Sequence, residues 1–328
     1  MADINNILPV SVIMSVFREP ENYLRESIES ILNQTFKDFE FLIAIDDPNN
    51  ERAIEIVSEY AKVDNRIKLF VNEKNLGLAL SLNRLIEKAK GKYIARMDGD
   101  DVSFPERIKE QVKFMEDNPE IDILGTLGFK MDFDGTVYGV FNLPTDEKCI
   151  AIYLKNGFNP ILHPSMMVKK EVFIFLNLYK NIPALEDYDF LLRAYLAGFK
   201  IKNLDKILLK FRVHSHKFRI SSEKAWVQYI YTKKVIKFYI KQSNLNYCIS
   251  EHEKKEFEMP NKFTYKIYKT LFNFSRKHFI LAADYRDKKN FFAFIYHFVL
   301  ALISPHRAEI FYRLIKTKLL CRLYNRTR

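Results

Sequence analysis

The chain has 328 residues, 48% of them hydrophobic and 14% aromatic, enough to bury one large α/β core beside a smaller region and too apolar for a disordered or fibrous chain. Its net charge of +11 is uneven: residues 1–216 carry 28 Lys and Arg against 33 Asp and Glu, net −5, whereas residues 217–328 carry 24 against 8, net +16. Three widely spaced cysteines, Cys149, Cys248 and Cys321, exclude a disulfide framework and a paired metal knuckle, and they suit a reducing cytoplasm.

The first residues, MADINNILPVSVIMSVF, lack the basic start and small-residue cleavage site of a signal peptide, so a cytoplasmic location is expected. The apolar run from Val10 to Val16 predicts a strand, followed by a helix from about Tyr23 to Asn33 and a strand from Phe39 to Ile45. A helix over 51–61, a strand over 67–71, a helix over 79–89 and a strand over 93–97 continue the alternation. This is βαβ punctuation, and it predicts a mostly parallel, Rossmann-like α/β sheet flanked by helices. Ligands of such sheets bind beyond the carboxyl ends of the strands, where this chain is acidic. From Ile121 to Tyr138 the pattern is strand and turn, with Asp134-Gly135 as a hairpin corner, and another strand is expected after His163-Pro164. EDYDFLLRAYLAGF predicts a helix over about 186–197, stopped at Gly198. Beyond about Arg219 the alternation gives way to long aromatic, basic, helix-compatible stretches, so two regions are expected, 1–216 and 217–328.

GKYIARMDGDDVSFPERI places Asp98, Asp100 and Asp101 on a short loop between a buried strand and a helix, with Ser103 and Glu106 spaced as a capping box. Three carboxylates this close repel one another, and a divalent cation removes the conflict; hard oxygen ligands suit Mg²⁺ or Mn²⁺. A solvated turn is the competing reading, since Asp and Gly favour turns. The residues that follow exclude an EF-hand.

Four stretches in order give the first 216 residues a specific resemblance: PVSVIMSVF with YLRESIESILNQTFKDFEFLIAIDD, NEKNLGLALSLNRLIEKAKGKYIARMDGDD, NPILHPSMMVKKEVF, and EDYDFLLRAYLAGFKI. Together they resemble glycosyltransferase family 2, inverting enzymes with the GT-A fold, of the type that builds bacterial surface polysaccharide. The resemblance implies a nucleotide-sugar donor, a glycan or lipid-linked glycan acceptor, and a nucleotide pocket at Ser15, Val16, Phe17, Asp46 and Asp47. Phe17 would stack on the base and an aspartate would accept the imide N–H of uracil. Capping of the next helix through Asn49 and Asn50 is the structural alternative for the aspartate pair. The chain departs from the family in having FRE where an aromatic-Asn pair is common and DDPNN where DDGS is common.

The resemblance further implies Asp98 on the nucleotide side, Asp100 and Asp101 at the metal, and Asp187, supported by Glu186, as the base that deprotonates the acceptor. Helix-dipole stabilisation alone would also account for acidic residues at that position. Asp189 lies about 200° round the helix and should point elsewhere. Arg96 reads as a structural partner of the acidic loop. Arg212, His214 and His216 lie in a segment that in the family closes over the diphosphate, where His214 would reach the metal; a hydrogen-bonded surface residue is the alternative for such a histidine, and His163 either lines the acceptor site or ends a loop.

The C-terminal third interleaves aromatics and Lys/Arg without a nucleic-acid motif, so no nucleic-acid partner is expected. FFAFIYHFVLALIS, residues 291–304, is too short to span a bilayer and precedes Arg307, Arg313, Lys316, Lys318 and Arg322. It reads as an interfacial anchor for an anionic inner-membrane surface, making the protein peripheral on the cytoplasmic face. Two other classes compete. A sugar nucleotidyltransferase should carry a glycine-rich phosphate loop near its start, and SVFREPENY has none. A non-catalytic basic membrane- or nucleic-acid-binding protein would need neither acidic pair.

Overall fold

The computed structural model describes residues 9–182, 184–213, 225–241, 270–275, 277–278, 282 and 291–326. Strands β1 (Val10–Val16) and β2 (Phe39–Ile45) are buried along their whole length, as strands covered on both faces must be. Alternate residues Val10, Val12, Met14 and Val16 pack with Leu24, Ile28 and Ile31 of helix α1 (Glu21–Leu32) and with Ile56 and Val57 of α2 (Glu51–Val63). Strand β3 (Ile67–Val71) pairs parallel with β2, and β4 (Tyr93–Asp98) pairs parallel with β1 on its other side. Helices α1 and α2 touch each other, whereas α3 (Leu78–Lys88) lies against β1 and β2. The order of strand addition reverses between β3 and β4, all four strands being parallel, so a right-handed crossover carries α3 to the opposite face. The order β3-β2-β1-β4 therefore opens a crevice beyond the carboxyl ends of β1 and β4.

The second half continues the same sheet with mixed polarity. It comprises β5 (Val102–Ser103), α4 (Arg107–Asp117), β6 (Ile123–Met131), β7 (Val137–Val140), α5 (Glu147–Lys155), a 3₁₀ turn (His163–Ser165), β8 (Met167–Lys169), α6 (Lys170–Phe175), α7 (Glu186–Leu196) and β9 (Ile201–Arg212). The order runs on as β4-β8-β6-β9-β5 with β7 on β6, nine strands among the described residues. Strand β8 is antiparallel to β4 and β6, β9 is parallel to β6, and β5 is antiparallel to β9. The expected hairpin corner is present: Gly135 has φ +92°, and Asp132 accepts the Thr136 N–H at 2.8 Å. Gly198, at φ +93°, follows α7 as expected of a helix stop.

The capping box does not form. Ser103 belongs to β5 and pairs with Leu209, its N–H donates to Ser30 Oγ, and its hydroxyl accepts from Gln34 Nε2. Helix α4 starts only at Arg107, with Glu106 making no side-chain cap. Strand pairing to β9 takes these residues before the helix can use them.

The structure divides into two compact units. The first holds the sheet: residues up to Leu154, Asn159–Ile182 and Glu186–Arg219. The second holds 155–158, 183–185 and everything from Ile220, including α8 (Ala225–Ile236), α9 (Phe291–Ala301) and α10 (Pro305–Arg326). Within it the Tyr229 hydroxyl of α8 donates to Glu309 of α10 at 2.7 Å, and Lys233 donates to the same carboxylate at 3.0 Å. Among the described residues no single helix is long and apolar enough to cross a membrane.

Candidate active site

Three groups of side chains converge at the carboxyl ends of β1, β2 and β4. The first lines a cleft of about 260 Å³ bounded by Phe17, Arg18, Asp47, Pro48, Asn49, Glu73, Lys74 and Asn75. Phe17 and Asp47 were expected there. Lys74 and Asn75 arrive because β3 ends beside β2, and Arg18 lies in FRE, one of the two stretches where the chain departs from the pattern it resembles. Arg18 donates twice to Asp47 Oδ2, at 3.1 and 3.0 Å, and the Asn49 N–H donates to Oδ1 at 3.1 Å. The Arg18 bonds, then the Asn49 amide, hold the Asp47 carboxyl below its usual range, so it stays an acceptor.

Asp46 does something else. Its carboxylate, 3% exposed, accepts four hydrogen bonds at 2.7–2.9 Å, from Asn72 Nδ2, Leu76 N, Gly77 N and Ser81 Oγ. It ties β2 to the start of α3, where Gly77 has the φ of +84° that favours glycine. These four bonds make Asp46 a structural latch, whereas Asp47 is the member of the pair that lines the cleft. The helix cap falls to Asn50, which accepts the Ala53 N–H at 3.1 Å. Asp46→Ala should cost about 3 kcal/mol of stability by stranding buried donors, measured by denaturant unfolding, and should leave nucleotide selectivity unchanged. The Val16 side chain is fully buried in the core, and its carbonyl accepts the Asp46 N–H. Ser15 lies in register with Asp98 across β1 and β4, on the floor of the crevice.

The second group is the acidic loop. One carboxylate oxygen each from Asp98, Asp100 and Asp101 lies within 4.8 Å of the others. Both oxygens of Asp98 are engaged by Arg96, one of them at 2.6 Å, which makes Arg96 the partner of the loop that its position suggested. Burial pushes Asp98 up to about 6 even so. Asp101 is 1% exposed; Oδ1 accepts the Arg212 N–H at 2.7 Å, and Oδ2 is buried with no hydrogen-bond partner among the described residues. Burial, then Asp100 and Asp98, raise its pKa well above the aspartate range. A buried carboxylate oxygen without a hydrogen-bond partner, facing two further carboxylates, is the donor set a hard divalent cation takes, so the residues fit one.

Arg212, expected at the diphosphate, is committed to the protein. Its Nε donates to the Asp100 carbonyl at 2.8 Å, Nη1 to the carbonyls of Asp132 and Phe133, and Nη2 to Glu26, while the guanidinium lies 4.0 Å from the Tyr23 ring centroid. It clamps the acidic loop to α1 and to the β6–β7 turn. His214 and His216 lie outside the described residues.

Two residues beside this loop carried no local signal. Glu19 accepts the Phe17 N–H at 2.7 Å, and a Cβ on Gly99 would come within 3.3 Å of its side chain. Burial and then Asp100 raise it to about 7. Arg107 is fully buried, donating to Pro164 O at 2.8 Å and Arg96 O at 3.1 Å, and so joins β4 to the 3₁₀ turn.

The third group is the start of α7. Asp187 Oδ1 accepts the Tyr188 N–H and Oδ2 accepts from Asn159 Nδ2, both at 2.7 Å. Burial raises the Asp187 pKa against the pull of those bonds and of Arg96. Burial and then Asp187 push Glu186 to about 7. Asp189 turns away, as expected, into an ion pair with Arg193 at 2.8 Å. Asn159 was missed; its signal is only the NP pair that opens NPILHPSMM. His163 is buried, shares a 3.0 Å hydrogen bond with the Tyr179 hydroxyl, and is kept neutral by burial and then by Arg96.

Residues 11–173 match the glycosyl transferase family 2 profile. The uncharacterized glycosyltransferase MJ1057 of Methanocaldococcus jannaschii is 40% identical over 226 residues, 67% of this chain and 77% of that protein. The Escherichia coli O-antigen biosynthesis glycosyltransferase WbnJ is 34% identical over 209 residues, 63% of this chain and 80% of that protein. Among solved structures, S. aureus TarS 1-349 in complex with UDP superposes with a TM-score of 0.58 at 19% identity, covering 93% of this chain and 91% of that one. With sequence relatives and fold in agreement, this chain belongs to glycosyl transferase family 2 and is a glycosyltransferase of the GT-A fold.

Proposed function

We propose that the chain transfers a sugar, with inversion, from a uridine diphosphate sugar to a glycan or lipid-linked glycan in cell-surface polysaccharide biosynthesis. The observation that carries this reading is the Asp98-Asp100-Asp101 cluster, in which Asp101 Oδ2 is buried without a hydrogen-bond partner among the described residues. The UDP in the TarS title supports the donor, and the O-antigen role in the WbnJ name supports the pathway class.

Phe17 and Asp47 receive the base in the cleft, and Asp98, fixed by Arg96, faces the nucleotide side. Asp100 and Asp101 hold Mn²⁺ or Mg²⁺, which when bound supplies positive charge to the departing diphosphate. Asp187 takes the proton of the acceptor hydroxyl as its oxygen bonds to the anomeric carbon, while the bond from that carbon to the phosphate oxygen breaks on the opposite side. Burial makes Asp187 a stronger base than a solvated aspartate, and Asn159 fixes its direction.

Thermal shift with Mn²⁺ and a panel of UDP-, GDP- and dTDP-sugars tests this at two pH values. The raised carboxylates Glu19, Asp98 and Glu186 contribute stability that is full below their unfolded values of about 4 and is lost as pH rises through about 6–7. The metal-free protein should therefore be less stable at pH 8 than at pH 5.5, and Mn²⁺ with donor should raise its Tm more at pH 8. An equal shift at both pH values would count against the carboxylate site.

The basic region is proposed to rest on an anionic membrane surface. Phe291, Phe292 and Val299 of α9 are 59–87% exposed, and Tyr312, Leu319 and Leu323 of α10 are 51–66% exposed. Residues 217–328 carry 24 Lys and Arg against 8 Asp and Glu. Apolar side chains among basic ones suit a leaflet of anionic lipid. The full chain should float with anionic vesicles at low salt, and Phe292→Glu with Val299→Glu should abolish flotation; recovery at the bottom of the gradient by the unaltered chain would refute the anchor.

A further inference from the structure

Taking the cleft as the nucleobase site, as the reading above does, we propose that Arg18 is a specificity-determining residue. With Asp47 it reads the edge of the base, selecting a keto oxygen beside a ring N–H, as in uracil, over the amino group beside a bare ring nitrogen of cytosine.

Arg18 stands two residues past β1, on the wall of the cleft. It is held at two points: its guanidinium lies 4.8 Å from the Phe17 ring centroid, and Nε and Nη2 donate to Asp47 Oδ2 at 3.1 and 3.0 Å. The wall thus presents a cation that can only donate beside a carboxylate that can only accept. Asp47 Oδ1 accepts one amide hydrogen, from Asn49, and keeps lone-pair capacity for a ligand. The side chain of Arg18 is 71% exposed and that of Asp47 12%, so the pair is a weak surface ion pair that an incoming base can share.

A uracil fits this wall with N3–H on Asp47 and its neighbouring keto oxygen on Arg18. Cytosine in the same pose sets its amino hydrogens against the guanidinium and its bare N3 against the carboxylate. Both contacts become repulsive, which excludes the wrong base as well as holding the right one. The edge of guanine carries the same keto oxygen beside a ring N–H, so the chemistry is that of a keto-imide or keto-lactam edge.

The test is calorimetric titration of the full chain, with Mn²⁺ present, by UDP, GDP and CDP, repeated on Arg18→Ala. The unaltered chain should bind UDP or GDP at least about tenfold more tightly than CDP. In Arg18→Ala that preference should shrink by on the order of tenfold, through loss of the keto partner, with the Tm unchanged. Retention of the full UDP-to-CDP ratio in the variant, or a preference of the unaltered chain for CDP, would overturn the role of Arg18 while leaving the cleft as the base site. Binding of none of the three by the unaltered chain would overturn the cleft reading and Arg18 with it.

Discussion

Asp187→Asn should lower the rate of sugar transfer by about 10²- to 10⁴-fold while donor affinity, measured by calorimetry, stays within about twofold. The size follows from chemistry: a hydroxyl is a poor nucleophile until its proton has somewhere to go, and an amide cannot take it. The burial that makes Asp187 basic also sets the pH profile, since its raised pKa places the acid limb of the rate above the ordinary aspartate range. The substitution should remove that limb. Asn159 donates to Asp187 Oδ2, so its replacement by Ala should preserve the limb and lower the rate less, as expected of a positioning residue. Transfer undiminished in Asp187→Asn would move the base elsewhere, with Glu186 the next candidate.

Asp101→Asn should separate stability from activity. Asp101 is buried beside two like charges, and its pKa is raised well above the aspartate value. A raised carboxylate contributes stability that is fully present below its unfolded value and is lost as pH rises through its folded value, so above the ordinary aspartate range the metal-free protein progressively loses what this group contributes at low pH. Asparagine keeps an oxygen for the Arg212 N–H and removes the charge. The variant should match or exceed the parent in Tm without metal at pH 8, lose most of the Mn²⁺-induced shift, and transfer sugar about 10²- to 10³-fold more slowly. An unchanged Mn²⁺ shift would remove Asp101 from the metal site.

The elements that were legible in the sequence share a physical trait. Residues 10–16, 39–45 and 67–71 are short strands in the buried parallel half of the sheet, bounded by chain that cannot continue them, and the structure has them at those bounds. The start of α7 at Glu186 was legible from its apolar spacing, and its end from Gly198. What local pattern missed depends on residues distant in the chain. Ser103 was read as a cap because β9, about a hundred residues later, leaves no mark near it. Asp46 and Asp47 are the same residue type side by side, yet one accepts four hydrogen bonds from α3 and the segment between β3 and α3 while the other faces the cleft. Arg212, Arg107, Glu19 and Asn159 acquire their roles only when the sheet brings their partners within hydrogen-bonding reach. The acidic loop was legible as three mutually repelling carboxylates between a buried strand and a helix, and it was the resemblance of the flanking stretches that set a cation site above a solvated turn.

That conflict is the basis of the central claim, and release of nucleoside diphosphate tests it most directly. The purified full chain, given UDP-, GDP- and dTDP-sugars, should release nucleoside diphosphate from one class with Mn²⁺ present, stop on chelation, and resume when Mn²⁺ is restored. Release at the same rate with the metal chelated would contradict the account.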